Sequence, residues 1–147
     1  MSSKALQLEQ KAPLHECLIS IGSNIEPERH FAQAFILLGS ECELIAHSQA
    51  ISTPPVGFLD QPDFLNAALL VRTPLDHATF RAYLKAVENR LGRVRGPNKS
   101  GPRTMDLDIV AWDSELLDPS YFTYDYVRRP VDEVLAASGR SLWRKKN

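Results

Sequence analysis

The feature that most limits how this chain can fold is the alternation of two hydrophobic periods along it. Short β-prone blocks cover residues 17–21, 43–52, 64–72 and 105–112. In the third, Phe64, Asn66, Ala68 and Leu70 share one face and Leu65, Ala67, Leu69 and Val71 the other; in the fourth, Met105, Leu107, Ile109 and Ala111 alternate with Asp106, Asp108, Val110 and Trp112. After the first block, apolar residues recur at helical spacing as Phe31, Phe35 and Leu38, and after the third as Phe80, Leu84, Val87 and Leu91. The punctuation agrees with this division. Gly22-Ser23-Asn24 reads as a turn closing the first strand, Pro27 suits the first turn of a helix, and Gly39 offers that helix a C-cap. Asp76 caps the second helix and Gly92 ends it. Thr53-Pro54-Pro55-Val56-Gly57 must break the second strand, because two prolines cannot donate to a ladder, and an extended loop runs on to Pro62.

The order β-α-β-β-α-β predicts an α+β fold, a ferredoxin-like sandwich in which two helices cover one face of an antiparallel sheet. Residues 113–147 add a short C-terminal extension, read as a strand around Tyr126-Val127, a helix over 131–137 and a basic tail. Residues 1–13 are polar and aperiodic and read as a flexible tail, so the domain is expected over 14–138 with a tail at 139–147. The chain's 147 residues, 24% charged and 44% hydrophobic, match one ordinary globular domain. Seventeen Lys and Arg against 18 Asp and Glu give a net charge of -1, so nothing global favours nucleic acid or an anionic membrane. Apolar runs such as Ala67 to Val71 are far too short to span a bilayer. Cys17 and Cys42 fit no CxxC spacing and the N-terminus has no apolar signal-like segment, so a reduced, cytoplasmic protein is expected.

Asp106 and Asp108 stand two apart on a strand, so both carboxylates project from one face. Their repulsion is best relieved by a hard divalent cation such as Mg²⁺, although an exposed strand face with unrelated acids gives the same pattern. Just upstream, Arg81, Lys85, Arg90, Arg93, Arg95, Lys99 and Arg103 are accompanied by one acid, Glu88. Cations beside a metal-binding acid pair suit phosphoryl transfer; the bland reading, a solvated basic helix face, fits Arg81 and Arg90 better than the glycine-flanked loop. That loop, Gly96 to Thr104, begins like a phosphate-binding P-loop, but Pro102 removes a backbone donor and a strand follows where a helix is needed. Phe64 and Asn66 share a strand face, where a ring can stack on a flat heterocycle while an amide reads its edge; such a pair is also ordinary core. His15, His30, His47 and His77 show no ligand spacing, and no Gly-x-Ser-x-Gly or Cys/His arrangement supports a nucleophilic mechanism.

Together these segments resemble a known family. Ile21-Gly22-Ser23-Asn24, Thr53-Pro54-Pro55 with Gly57, Gln61-Pro62-Asp63-Phe64-Leu65-Asn66-Ala67, Glu88 with Gly92-Arg93-Val94-Arg95, and Gly101-Pro102-Arg103-Thr104-Met105-Asp106-Leu107-Asp108-Ile109 resemble the 6-hydroxymethyl-7,8-dihydropterin pyrophosphokinases of folate synthesis, in order and over residues 18–112. The resemblance implies a ferredoxin-like fold and transfer of diphosphate from ATP to the pterin hydroxymethyl group, with two Mg²⁺ ions held by Asp106 and Asp108. It implies Arg93 and Arg103 as catalytic arginines, and Glu88, Arg95, Lys99, Arg103 and Ile109 at the nucleotide. Thr53, Pro54, Val56, Phe64, Asn66 and Tyr126 would hold the pterin, the last within Tyr126-Val127-Arg128-Arg129-Pro130 to Val134, which echoes a C-terminal family pattern.

The departures concentrate on the nucleotide side. The family places a Pro-His-Pro loop and a further Arg before the second stacking ring, whereas Asp118 to Asp125 contains neither His nor Arg, and Lys85 stands where Gln is common. The expectation is a monomeric enzyme acting on ATP and a reduced pterin, without nucleic acid or membrane. Three alternatives stay open: a pterin-binding or regulatory relative with little kinase activity, an enzyme variant using an altered pterin or a different phosphate donor, and an RNA-binding module of the same element order, for which Phe64 is the one aromatic on the third strand.

Overall fold

The computed structural model describes residues 13–92 and 101–145. In chain order the elements are β1 (His15–Ser23), α1 (Pro27–Glu41), β2 (Glu43–His47), β3 (Ile51–Thr53), β4 (Phe64–Thr73), α2 (His77–Arg90), β5 (Asp106–Trp112), β6 (Glu115–Leu116), α3 (Ser120–Thr123) and α4 (Asp125–Ser138). All named strands pair antiparallel in one sheet of order β2-β4-β1-β5-β6, with β3 continuing along β4 beside β2. Leaving aside the short β3 and β6, this is the strand order of the expected ferredoxin-like sandwich.

The alternation in β1 and β4 divides the sheet into two apolar faces. Ile19, Ile21, Leu69, Val71 and Leu107 face α1 and α2, where Phe31, Leu38, Phe80, Leu84 and Val87 complete the larger core. Leu18, Ala68, Leu70, Val110 and Ala111 face the other way and pack on Val127, Val131 and Val134 of α4. The sheet is thus covered on both faces, and α4 stands at i, i+4 and i+7 spacing over the second. The α2 N-cap forms as expected, the Asp76 carboxylate accepting from the Thr79 N–H at 2.8 Å, and Gly92 follows the helix with φ 84°.

Several local expectations are revised. β1 continues through Gly22 to Ser23, so Gly22 is a strand residue paired on both sides rather than part of a turn. α1 runs through Gly39 to Glu41, and the Cys42 N–H closes it on the Leu38 carbonyl at 2.8 Å. The block at 43–52 splits into β2 and the start of β3 because Ser48 turns inward: its hydroxyl accepts from the Ala68 N–H at 2.9 Å and its own N–H donates to the Ala68 carbonyl at 2.9 Å. In β5 the register slips between Leu18 and Ile19, which pair with Ala111 and Ile109 and leave Val110 unopposed. That bulge reverses the alternation, so Ala111 joins the α4 core while Trp112 returns to the α2 side, its ring centroid 5.9 Å from that of Phe80.

The expected strand at Tyr126-Val127 is instead the first turn of α4, which starts at Asp125 and not at 131. Pro130 suggests a break, but it lies in the second turn, where the ring forfeits only the bond to the Tyr126 carbonyl, and it is itself buried in the apolar stripe. Past Gly139, the Arg140 guanidinium reaches Glu16 at 2.7 Å and Trp143 bridges to Glu115, so this part of the C-terminal segment is tied to the sheet.

If α4 packs a genuine second core, Leu18→Ala, which removes a side chain 2% exposed beneath it, will destabilise the fold by about 2–5 kcal/mol in equilibrium urea unfolding. A loss below about 1 kcal/mol would contradict the packing.

Candidate active site

α4 covers only part of its face of the sheet. Beyond its first turn, β1 offers Ser20 and Gly22 instead of large side chains, and a cleft opens over them. The register sets what meets there. Asn66, Gly22 and Asp106 form one cross-strand row, and Ala68, Ser20 and Asp108 the next. Adjacent strands lie about 4.8 Å apart, so an amide on β4 and a carboxylate on β5 face one cleft from backbones roughly 10 Å apart. Gly22 is needed between them: a Cβ there would come within 2.9 Å of the Asn66 Oδ1.

On the β4 side, the Asn66 Nδ2 donates to the Thr53 Oγ1 across the β3–β4 pair. The bond uses one amide donor and leaves Oδ1 as an acceptor, while the Thr53 hydroxyl keeps its proton to donate. Pro54 and Val56, in the segment released from the sheet by the two prolines, line the same cleft, as do Phe64 and Tyr126. Tyr126 is carried by the first turn of α4 and stacks on Tyr124 with centroids 5.1 Å apart. Burial, reinforced by Tyr124 and the two aspartates, raises its pKa, so it presents a neutral ring and hydroxyl.

On the β5 side, Asp106 and Asp108 line the cleft with Arg103, whose Nε lies 3.8 Å from an Asp106 oxygen and whose guanidinium carbon is 5.9 Å from the Phe64 ring centre. Asp108 opens to solvent through the cleft but is otherwise enclosed by protein. That enclosure first, then the charge of Asp106, pushes its carboxyl up to about 7; Glu88 and Asp118 add to the rise and Lys85 opposes it. Two carboxylates that resist simultaneous ionisation suit a divalent cation, which stabilises both charged forms. Among the described residues no third carboxylate, His or Cys completes a metal cluster. The donor set therefore fits Mg²⁺ bound by one or two carboxylates, with the remaining positions taken by phosphate oxygens and water.

Asn24, only 5% exposed, joins the two sides. Its Oδ1 accepts from the Arg103 N–H at 2.9 Å and its own N–H donates to the Arg103 carbonyl at 3.1 Å, while its Nδ2 donates to Gln61 at 2.8 Å and to the Pro62 carbonyl at 3.0 Å. The segment preceding β4 and the one preceding β5 are thus held to the end of β1. A second cleft, lined by His77, Arg81, Lys85, Ile109, Leu117 and Pro119, shares Asp108 and Asp118 with the first.

Of the residues singled out in the sequence, Thr53, Pro54, Val56, Phe64, Asn66, Arg103, Asp106, Asp108 and Tyr126 converge on one cleft and Ile109 lines its neighbour. Glu88 lies elsewhere, fully buried, with an oxygen 2.7 Å from the Leu107 N–H. Arg93, Arg95 and Lys99 fall outside the described residues. Ser20, Asn24, Asp118, His77 and Arg81 were not anticipated as site residues. For Asn24 the available signal was its place after a strand-ending Gly-Ser; Asp118 enters because the short 118–125 connection brings it beside Asp108.

Comparison with known proteins shows the family of the chain. Residues 18–136 match the family model described as 7,8-dihydro-6-hydroxymethylpterin-pyrophosphokinase. The chain is 37% identical over 127 residues to the 2-amino-4-hydroxy-6-hydroxymethyldihydropteridine pyrophosphokinase of Bacillus subtilis, covering 79% of this chain and 75% of that protein. It is 32% identical over 104 residues to the protein of the same name from Helicobacter pylori, covering 68% and 64%. A mitochondrial folate synthesis bifunctional protein of Arabidopsis thaliana is 38% identical over 112 residues, where the match spans 74% of this chain but 20% of the plant protein. The chain belongs to the 7,8-dihydro-6-hydroxymethylpterin-pyrophosphokinase family.

Proposed function

We propose that the cleft transfers diphosphate from ATP to the hydroxymethyl group of 6-hydroxymethyl-7,8-dihydropterin, yielding AMP and the pterin diphosphate as a step of folate biosynthesis. The observation that carries this reading is the cross-strand row Asn66–Gly22–Asp106, which sets a heterocycle-reading amide and a cation-binding carboxylate on either side of a floor without a side chain. The pterin lies over Gly22 between the rings of Phe64 and Tyr126. Asn66 Oδ1 accepts from a ring N–H or amino group while the Thr53 hydroxyl donates to an oxygen or unprotonated nitrogen on the same edge. This orientation directs the hydroxymethyl group toward β5.

There Asp106 and Asp108 hold Mg²⁺, two ions in this reading, which supplies charge neutralisation to the triphosphate. Arg103 adds a guanidinium beside the carboxylates, and Arg93, Arg95 and Lys99 belong to the same phosphate-binding segment. The pterin hydroxyl oxygen bonds to the β-phosphorus and loses its proton to water, the bond from that phosphorus to the α–β bridging oxygen breaks, and AMP departs. We take the enzyme to be a cytoplasmic monomer acting on small molecules. No helix among the described residues is long and apolar enough to cross a membrane. The short 118–125 connection, without His or Arg, favours a second reading in which a pterin-binding relative turns over ATP poorly.

Four measurements bear on these assignments. Asp106→Asn and Asp108→Asn are expected to abolish AMP formation while leaving the pterin bound. Because folding raises the Asp108 carboxyl from its ordinary 3.8 to about 7, the ionised group costs stability increasingly as pH climbs through that interval. In metal-free protein Asp108→Asn should therefore gain melting temperature over wild type between about pH 4 and 7, with no gain at lower pH. Full turnover in either variant would remove that carboxylate from the mechanism. Asn66→Ala should weaken calorimetric pterin binding by about 1–3 kcal/mol, and unchanged affinity would refute the recognition half of the cleft. A nonhydrolysable ATP analogue with Mg²⁺ and pterin should bind weakly, and more weakly still after Lys99→Ala. No binding at millimolar analogue would favour the pterin-binding reading, and tight binding indifferent to Lys99 would misplace the nucleotide.

A further inference from the structure

β5 carries the two aspartates at the exposed end of the sheet. Its pairing with β1 covers one edge, but β6 reaches only Ala111 and Trp112 on the other, so among the described residues the segment from Asp106 to Asp108 has no neighbouring strand on that side. A backbone N–H pointing from such an edge into protein must find another acceptor. The Leu107 N–H finds one in Glu88 of α2, whose Oε2 lies 2.7 Å away while its side chain is completely buried. Its other oxygen stands 3.6 Å from the Lys85 ammonium, and Lys85 lines the second cleft together with Asp108. Leu107 lies between the aspartates, with its side chain in the α2 core and theirs on the opposite face.

We infer that Glu88 is a positioning residue: by accepting the Leu107 N–H it replaces the missing strand and fixes the backbone from which Asp106 and Asp108 reach a divalent cation. It acts through that backbone rather than by touching a nucleotide, since it lines neither cleft. A simple filling role is poorly served by a carboxyl group, because burying one is costly unless its hydrogen bonds are met, and an apolar residue would fill the same volume. The bond to the strand is what an apolar residue cannot supply.

The inference rests on the proposed metal-dependent transfer, but its test includes a readout that needs no turnover. Glu88→Gln keeps a carbonyl oxygen to accept the Leu107 N–H, whereas Glu88→Leu keeps the volume and removes the acceptor. Hydrogen exchange on metal-free, nucleotide-free protein should show the Leu107 amide protected in wild type and in Glu88→Gln. In Glu88→Leu it should exchange at least tenfold faster, while Ile21 and Leu69 amides in the sheet interior keep their protection. In AMP formation, Glu88→Leu should need severalfold more Mg²⁺ for half-maximal rate and lose tenfold or more in kcat, with pterin affinity unchanged and Glu88→Gln close to wild type. Unaltered Leu107 exchange and Mg²⁺ dependence in folded Glu88→Leu would overturn the inference. So would parallel loss of pterin binding and of protection across the sheet, which marks a merely structural residue, or loss of nucleotide affinity in metal-free buffer, which marks a direct contact. If wild type forms no AMP, the transfer reading fails by itself and the exchange experiment still decides whether Glu88 holds the strand.

Discussion

Everything in the cleft depends on β1 being paired on both edges. Its antiparallel ladders to β4 and β5 hold Asn66 and Asp106 level with Gly22, and Ala68 and Asp108 level with Ser20. A slip of one residue in either ladder would send the amide or the carboxylates to the α1–α2 face, because side chains alternate with a period of two. The large apolar residues of β1, β4 and β5 on that face therefore do more than stabilise the sheet. By fixing its register they fix the distance between Asn66 and the two aspartates.

The same arrangement stores unfavourable terms where function needs them. Asp108 stands beside Asp106 with its ionisation opposed, Glu88 is buried whole, and Gly22 gives up a side chain in mid-strand. Asp108 would be improved for stability alone by a neutral residue, whereas Glu88 and Gly22 keep a bond and a clearance that an apolar side chain would lose. Their cost is offset by cores on both faces, the second supplied by the valines of α4. α4 thus has two roles, closing one end of the sheet and carrying Tyr126 to the rim of the cleft.

Much of this was legible in the sequence because it rests on local periodicity. The two-residue alternation of 64–72 placed Phe64 and Asn66 together on the face opposite Leu65, Ala67, Leu69 and Val71, and the spacing of Asp106 and Asp108 put both on one side of their strand. What was not legible depends on partners distant in sequence. The bulge at Val110 is defined by where β1 stops matching, Ser48 replaces ladder bonds through its own hydroxyl, and Glu88 finds the Leu107 N–H only after α2 has packed. Gly22 looked like a turn because glycine weakens a strand; only the approach of Asn66 shows why a strand needs it there. α4 starts at Asp125, ahead of Pro130, whose ring is tolerated so near the helix N-terminus.

The central claim is that one register joins a pterin site to a diphosphate-transfer site although the 118–125 connection carries no His or Arg. The most direct measurement is to incubate purified protein with ATP, Mg²⁺ and 6-hydroxymethyl-7,8-dihydropterin and resolve the products by phosphorus NMR. The account predicts AMP and a pterin diphosphate in equal amounts, dependent on both Mg²⁺ and pterin. Formation of ADP with a pterin monophosphate, or no product at all while the pterin is bound, would contradict it.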